Sequence, residues 1–167
     1  MPTTDRYTLR AATNVDAPQI WGLISQVLLS YGITPDAATT DQDLVDIETG
    51  YPPGAFFVLL DGPKVIGTVA LRPDVERRCE LCRMYLDAPY RRQGLGRRLL
   101  AHARREATRW GAQELYLKTA SVLTEAIALY QQAGFEVVTG ARVGGNCDLL
   151  MRLRLGAIAP CAPGPRP

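Results

Sequence analysis

A chain of 167 residues, 47% of them hydrophobic, is long enough for one domain that buries a core without disulfides or a metal. Its 19 basic and 17 acidic side chains leave a net charge of +2, which excludes general nucleic-acid binding through the phosphates. No apolar run approaches the roughly 20 residues of a membrane helix or has the form of a signal peptide, so a cytoplasmic protein without a membrane partner is expected.

The spacing of apolar residues predicts a strand, two helices and a hairpin in the first half of the chain. Asp16 stands where a helix cap belongs, and Pro18 falls in the first turn of the helix that follows. The turn Asp61-Gly62-Pro63 separates two β-rich runs. The predicted elements are the strand YTLRAAT (7–13), the helices APQIWGLISQVLLS (17–30) and DQDLVDIET (41–49), and the strands AFFVLL (55–60) and KVIGTVALR (64–72).

The second half alternates strands and helices. They are the strand CELCRMYL (79–86), a helix over about 94–110, the strand ELYLK (114–118), the helix TEAIALYQQA (124–133), and the strands FEVV (135–138) and CDLLMRLRL (147–155). The order β-α-α-β-β-β-α-β-α-β-β predicts an α/β fold with one mixed sheet of about seven strands flanked by four helices. We expect one domain over residues 1–155 and a disordered, Pro-rich tail over 156–167.

Four cysteines include one Cys-x-x-Cys pair, Cys79 and Cys82, a spacing that occurs in zinc and redox sites. The pair lies on a predicted strand, where positions three apart face opposite sides. It therefore cannot easily hold one metal ion, and the chain has no second such pair. Reduced cysteines and no metal site are expected, and Cys161 falls in the predicted tail.

The stretch YRRQGLGRRLL, residues 90–100, places Gly94 and Gly96 between two pairs of arginines at the start of a predicted helix. The first N–H groups of a helix lack internal acceptors and carry partial positive charge, so they bind anions such as phosphate. Glycine removes the Cβ atoms that would keep a phosphate away from the backbone. Arg91, Arg92 and Arg97 are the arginines best placed to add phosphate contacts.

Three kinds of phosphate-binding loop have related sequences, and two of them do not fit. A P-loop has Lys-Ser or Lys-Thr after its last glycine, where this chain has Arg97-Arg98. A dinucleotide fingerprint requires a third glycine where Leu99 stands and an acidic residue where Lys118 stands. The remaining pattern, Arg/Gln-x-x-Gly-x-Gly after a mid-chain strand, occupies residues 91–96.

This loop, the strand before it and the later segment AIALYQQAGFE (126–136) resemble the GCN5-related N-acetyltransferases, the GNAT family, over most of residues 6–154. The resemblance implies a mostly antiparallel sheet and acetyl-CoA as cosubstrate. The implied cofactor contacts are the amides of Gln93, Gly94, Leu95, Gly96 and Arg97 for the pyrophosphate, and the backbone of Met84, Tyr85 and Leu86 for the pantetheine arm. Tyr130 matches the tyrosine near the thiol that acts as general acid. Leu123 is a departure, because the family often has Asn there.

Acetyl transfer to an amine requires a base, because an alkylamine with a pKa near 10.4 is almost fully protonated at pH 7. Glu80 lies on the strand before the loop, at a spacing that resembles the glutamate base of the family's histone-modifying branch. Glu80, Cys82 and Met84 would share one face of this strand unless a β-bulge intervenes.

Each catalytic assignment has a simpler alternative. Glu80 could be a surface residue paired with Arg78 or Arg83, and Tyr130 could be core packing on an amphipathic helix. Cys82 could carry an acetyl group in a ping-pong route, although a buried structural thiol is the favoured interpretation.

The sequence predicts direct transfer of acetyl from acetyl-CoA to a primary amine, with a carboxylate base and a tyrosine acid. The alternative is an acyl-CoA-binding sensor or partner domain with little turnover. As in the family, the acceptor is expected to contact residues 28–54 and 139–145. Acidic residues in the first of these segments fit a cationic acceptor or equally a solvated helix face; they are Asp36, Asp41, Asp43, Asp46 and Glu48. A small molecule is favoured over a protein acceptor, and a homodimer is an open alternative.

Overall fold

The computed structural model describes residues 5–156, which form one seven-stranded sheet with helices packed on both faces. The strands are β1 (Tyr7–Ala11), β2 (Phe56–Asp61), β3 (Lys64–Pro73), β4 (Arg78–Leu86), β5 (Glu114–Thr119), β6 (Glu136–Val137) and β7 (Leu149–Arg154). The helices are α1 (Ala17–Ser30), α2 (Ile47–Gly50), α3 (Leu95–Arg109) and α4 (Thr124–Gln132). The sequence-predicted order of elements is therefore confirmed.

The sheet has the strand order β1-β2-β3-β4-β5-β7-β6, and five of its six neighbouring pairs are antiparallel. The mixed, mostly antiparallel sheet predicted from the sequence is thus confirmed. Among residues 5–156, no helix has the length and apolar character needed to cross a membrane. The predicted tail lies outside the described residues except for Gly156, and Cys161 lies outside them as well.

The second predicted helix is the element whose extent the sequence overstates. In place of one helix over 41–49, the structure has a 3-10 turn at Gln42–Leu44 and a single helical turn, α2. The Asp46 side chain accepts a hydrogen bond from the Thr49 N–H, and this cap starts a new helix. Before the cap, Asp41 and Asp43 form ion pairs with Arg83, and the chain there makes the 3-10 turn instead of a first turn of α-helix.

Two hydrophobic cores fix the helices against the sheet. One lies between the sheet and the helices α3 and α4, and it includes the buried Leu71, Leu99 and Leu117. The other lies beneath α1 and α2 and includes the buried Ile24 and Ile47. Burying one such side chain contributes about 1.5–3 kcal/mol. The two cores therefore hold α1 and α3 on opposite faces of the sheet.

Gly67 in β3 allows α3 to pack closely on the sheet. A Cβ atom at this position would lie 3.0 Å from Leu99 Cδ1 and 3.2 Å from Leu86 Cδ1. A larger residue would therefore push α3 away from the sheet, because protein interiors leave little free space. The first half of α3 is held in this way beside the end of β4.

A β-bulge interrupts β4 at Arg83 and Met84. Thr68 pairs with Tyr85 and Ala70 with Cys82, so the residue between them on β3 faces two residues of β4. Arg83 has a left-handed backbone with φ of 52°, and its carbonyl oxygen accepts a 2.7 Å hydrogen bond from the buried Thr68 hydroxyl. The bulge reverses the side-chain alternation of the strand.

The sequence predicted that Glu80, Cys82 and Met84 share one face of the strand unless a bulge intervenes. The bulge is present, and it places Met84 on the opposite face from the other two. Cys82 packs toward α1, whereas Met84 packs into the core beneath α3. Glu80 lies two residues before Cys82 on the regular part of the strand and so shares its face.

β4 and β5 lie side by side over only part of their lengths. Their parallel pairing joins residues 78–80 of β4 to residues 114–116 of β5, and within the described chain no pairing continues beyond Glu80. The strands therefore separate and leave one edge of β4 open over residues 81–86. Backbone N–H and C=O groups along an open edge can pair with an added extended chain.

Candidate active site

A cleft of about 820 Å³ begins at the gap between β4 and β5 and brings most of the sequence-predicted site residues together. Ten of the twelve line it: Glu80, Met84, Tyr85, Leu86, Arg91, Arg92, Gly94, Gly96, Arg97 and Tyr130. We call the part around residues 84–97 the cofactor end. The part bordered by residues 27–41, by Glu80 and Lys118, and by residues 144–147 is the acceptor end.

Two predicted residues, Gln93 and Leu95, turn their side chains elsewhere. The Gln93 amide nitrogen donates to the Pro89 carbonyl at 3.2 Å, and its oxygen accepts from the Tyr7 hydroxyl at 3.4 Å. Leu95 is buried in the core beneath α3. These residues can therefore contact a cofactor only through their backbone amides, the groups that the sequence pointed to.

The loop before α3 has the geometry of an anion-binding helix terminus. Arg92 and Gly94 both have left-handed backbones, with φ values of 60° and 80°. Among the described residues, the amides of 92–97 donate to no backbone carbonyl, and the first bond into α3 is the one from Arg98 N to Gly94 O at 3.1 Å. Unpaired amides at the positive end of a 15-residue helix attract a phosphate.

The two glycines of the loop serve different purposes. A Cβ atom at Gly94 would meet no atom within 4 Å, so this glycine is required by its left-handed backbone. A Cβ atom at Gly96 would lie 3.2 Å from Leu129 Cδ2, so this glycine lets α3 approach α4. The sequence assigned both glycines to close phosphate approach, and the structure adds these two local reasons.

Contacts that the sequence did not reveal hold the loop in place. The loop starts at Asp87, which is buried and forms a 2.9 Å ion pair with Lys64 Nζ. The backbone N–H of Asp87 donates to Ile66 O. The Tyr90 hydroxyl donates to Asp61 Oδ2 at 3.0 Å. These bonds attach the loop to the hairpin of β2 and β3.

The arginines around the loop are oriented differently from one another. Arg91 Nε donates to Leu86 O at 3.2 Å, and Arg97 Nη2 donates to Gln132 Oε1 at 3.2 Å, so both stay beside the cleft. Arg98 points away from it, because Nη2 pairs with Asp5 at 2.7 Å. Of the four arginines in the stretch, three line the cleft.

Tyr130 of α4 is a core residue and a cleft residue at once. Its ring packs against Phe135 with centroids 5.7 Å apart, and it is 5% exposed. Burial, with smaller contributions from Tyr85 and Cys82, raises the pKa of its hydroxyl above the ordinary value of 10. The phenol therefore stays protonated at neutral pH, as a proton donor must. Leu123, at the start of α4, also lines the cleft.

Glu80 faces a different partner from those considered in the sequence. Arg78 pairs with Asp74 at 2.9 Å, and Arg83 pairs with Asp41 and Asp43, so neither neutralises Glu80. The nearest cation is Lys118 of β5, whose Nζ lies 3.9 Å from Glu80 Oε1. This distance leaves the carboxylate able to accept a hydrogen bond from a ligand.

Cys79 and Cys82 lie on opposite faces of β4, as the strand interpretation predicted. Cys79 belongs to the core beneath α3, and Cys82 packs toward α1. Burial raises the pKa of each thiol to about 12. Both therefore stay as neutral thiols near pH 7, which favours the structural role of Cys82 over an acetyl carrier.

An ion-pair network contains two of the acidic residues that were interpreted from the sequence as a surface for a cationic acceptor or as a solvated helix face. Arg83, 14% exposed in its side chain, pairs with Asp41 at 2.7 Å and with Asp43 at 2.5 Å. Arg72 adds a 3.0 Å bond to Asp43, and the Tyr51 hydroxyl donates to the same carboxylate. Asp41 and Asp43 thus join the loop after α1 to the bulge of β4, so neither interpretation holds for them.

Comparison with known proteins assigns the chain and its fold to a family. The acetyltransferase (GNAT) family matches residues 25–135. The uncharacterised N-acetyltransferase YjgM of Escherichia coli K12 is 35% identical over 87% of this chain and 92% of its own. A GNAT acetyltransferase from Staphylococcus aureus Mu50 shares the fold, with a TM-score of 0.81 at 19% identity, covering 90% of this chain and 99% of that one.

The Salmonella typhimurium protein yncA, whose structure contains its cofactor acetyl-CoA, has a TM-score of 0.69 and 25% identity, covering 95% of this chain and 99% of that one. The chain therefore belongs to the GNAT family of acetyltransferases and is an acyl-CoA-dependent N-acetyltransferase.

Proposed function

We propose that this protein transfers acetyl from acetyl-CoA directly to the primary amine of a small molecule. The observation that carries the proposal is the convergence of three features on one cleft: unpaired amides at the start of α3, an open edge of β4, and the side chains of Glu80 and Tyr130. A diphosphate, an extended arm and a reacting thioester would occupy these features in that order.

The cofactor end accounts for binding. The amides of residues 93–97, with Arg91, Arg92 and Arg97 around them, would hold the diphosphate of acetyl-CoA. The pantetheine arm would run along β4 at Met84, Tyr85 and Leu86, as an added strand does at a sheet edge. The bulge at Arg83 would then place the thioester near the centre of the cleft.

Glu80 is proposed as the base. An amine enters mostly as an ammonium ion, and it must lose a proton before its nitrogen attacks the thioester carbon. Glu80 takes this proton, directly or through a water molecule, and the new N–C bond forms as the C–S bond breaks. Its position at the acceptor end, four residues before Met84 on β4, supports this role.

Tyr130 is proposed as the donor to the departing sulfur. Its protonated hydroxyl can donate a hydrogen bond that strengthens as negative charge develops on the thiolate and can then supply the proton. The N-acetyl product and free coenzyme A leave, Glu80 releases the proton it accepted, and Tyr130 regains the proton it donated, both by exchange with water. Holding amine and thioester together would provide a further part of the acceleration.

Release of free thiol from acetyl-CoA in the presence of a panel of amines tests the proposal. The wild-type protein should release thiol with at least one small primary amine, and replacement of Glu80 by Gln should lower kcat/KM by about 100-fold or more. Tight binding of acetyl-CoA without thiol release for any amine would instead indicate a binding domain. Equal activity of the wild type and the Glu80→Gln variant would show that Glu80 is not the base.

A further inference from the structure

The acceptor end of the cleft contains several charged groups, and most of them are already bonded to one another. Arg83 and Asp41 form a 2.7 Å ion pair. Asp41 also accepts a 2.8 Å bond from the Asp36 N–H, and Arg72 bonds to Asp43 at 3.0 Å. These groups are held by the protein itself, so they shape the pocket without being available to a ligand.

One carboxylate and one ammonium group remain uncommitted. Glu80 and Lys118 both line the acceptor end, and their only ion pair is the loose one of 3.9 Å between them. Among the described residues, neither side chain forms a hydrogen bond shorter than this contact. The side chains are 19% and 48% exposed, so an incoming molecule can reach both. The pocket thus offers one negative and one positive group side by side.

An apolar wall forms another part of the acceptor end. It is formed by the last turns of α1 and the residues after it, and its members that line the cleft are Val27, Leu28, Tyr31 and Ile33. The buried ion pairs of Arg83 hold the segment that follows this wall against β4. A ligand that fills the acceptor end would therefore meet both the pair of opposite charges and apolar surface.

We propose that the acceptor is a free α-amino acid with an apolar side chain, an inference that rests on the proposed function. Its ammonium group would bind Glu80, which removes the proton before attack. Its carboxylate would bind Lys118, and its side chain would contact the apolar wall. A zwitterion matches the pair because each ligand charge meets an opposite charge and no charged group is left buried alone.

Other amines match the pocket less well. A simple alkylamine leaves Lys118 without an anion, and a diamine places a second positive charge beside it. The N-terminus of a peptide carries an amide where the amino acid carries a carboxylate, so it also loses this contact. The pocket therefore favours free amino acids over protein N-termini and over polyamines.

Matched acceptors test the inference. Leucine and phenylalanine are compared with leucinamide and phenylalaninamide, and with the decarboxylated 3-methylbutylamine and phenethylamine, by thiol release at pH 7.5. The free acids should have kcat/KM about tenfold or more above both analogues, the value expected for a hydrogen bond to a charged group. The comparison with the amides is decisive, because an α-amino group beside an amide has a pKa near 8 and is the most readily deprotonated, so amine basicity cannot place the free acids above them.

Variants at Lys118 assign the preference to a side chain. In Lys118→Met, the ratio of kcat/KM for leucine over 3-methylbutylamine should fall by about tenfold, whereas Lys118→Arg keeps the positive charge and should keep most of the ratio. The use of a ratio separates acceptor recognition from any general change in folding or in the Glu80 environment.

Three outcomes would overturn the inference. The first is that amides or decarboxylated amines are used as well as the free acids. The second is an unchanged ratio in Lys118→Met. The third is that none of the six compounds is acetylated while another amine of a wider panel is, in which case N-acetylation stands and the amino-acid acceptor falls. Absence of thiol release with every amine would overturn the proposed function as well.

Discussion

The two ends of the cleft are built from different parts of the chain. At the cofactor end, the proposed binding groups are backbone amides of residues 93–97 and the backbone edge of β4. At the acceptor end, side chains from α1, β4, β5 and residues 144–147 form the surface. A backbone site depends on glycine positions and helix boundaries, which are local in sequence. A side-chain site depends on which distant segments meet, so it can change without altering the fold.

The largest expected effect tests the backbone site. Replacing Gly94 by Glu forces a side chain into a left-handed conformation, at a cost of about 1–2 kcal/mol, and places a carboxylate where the diphosphate would bind. Calorimetry should detect no binding of acetyl-CoA, while circular dichroism shows a folded protein. Gly111 provides a matched control at the other end of α3, since it has φ of 84° and open space as well. Gly111→Glu should lose similar stability and keep its affinity.

The ion-pair network at the acceptor end should respond mainly in stability. Arg83→Met leaves the buried Asp41 without its ion-pair partner and Asp43 with Arg72 alone, so urea denaturation should show a loss of about 3–5 kcal/mol. Arg109→Met removes a pair with Glu106 on the surface of α3, where Arg109 is 75% exposed, and should change stability by less than about 1 kcal/mol. Equal losses in the two variants would contradict the structural role of the network.

Tyr130 lies between the two ends, and its replacement should affect turnover alone. Tyr130→Phe keeps the packing against Phe135 and removes the hydroxyl, so kcat should fall by about 100-fold. The affinity for acetyl-CoA should change by less than about twofold, because the diphosphate contacts remain. Tyr116→Phe, which removes a hydroxyl bonded to Asp74 outside the cleft, is the control. Unchanged kcat in Tyr130→Phe would remove its role.

The smallest expected effect is a difference in acid sensitivity. Burial opposes ionisation of Asp43, but hydrogen bonds from Arg83 and Tyr51 outweigh it and hold the pKa below its ordinary value. A lowered pKa means that the stabilisation is present above about pH 4 and is lost as the pH falls through the folded-state value. Hydrogen exchange below pH 4 should therefore accelerate in residues 36–46 before it does in α3. Asp43→Asn should abolish this pH step.

The sequence predicted the loop and the helix start at the cofactor end well, because their signals are adjacent along the chain. The same short stretch predicts both a helix start and an anion site, through Gly94, Gly96 and the leucines that follow them. The acceptor end depends on contacts such as Arg83 with Asp43, which are 40 residues apart. The signal for this pair was an arginine between apolar residues of β4 together with an acidic loop, but no local rule joins them.

Two further features were missed for physical reasons. The left-handed backbone at Arg83 lies at a position without glycine, and the hydroxyl of Thr68 on the neighbouring strand stabilises it. Lys118 served in the sequence only to exclude a dinucleotide site. Its position beside Glu80 follows from the parallel pairing of β4 with β5. The order of the elements does not predict the register of that pairing.

Arg83 is both the left-handed residue of the bulge and the ion-pair partner of two aspartates, so a substitution there changes both roles at once. A glycine there would relax the backbone but release the loop that carries Asp41 and Asp43, whereas a lysine would retain the charge but not the forked bonding to these two aspartates. Diversification of acceptor preference should therefore begin at positions such as Ile33 and Tyr31, where a change in size alters the pocket and leaves the bent strand intact.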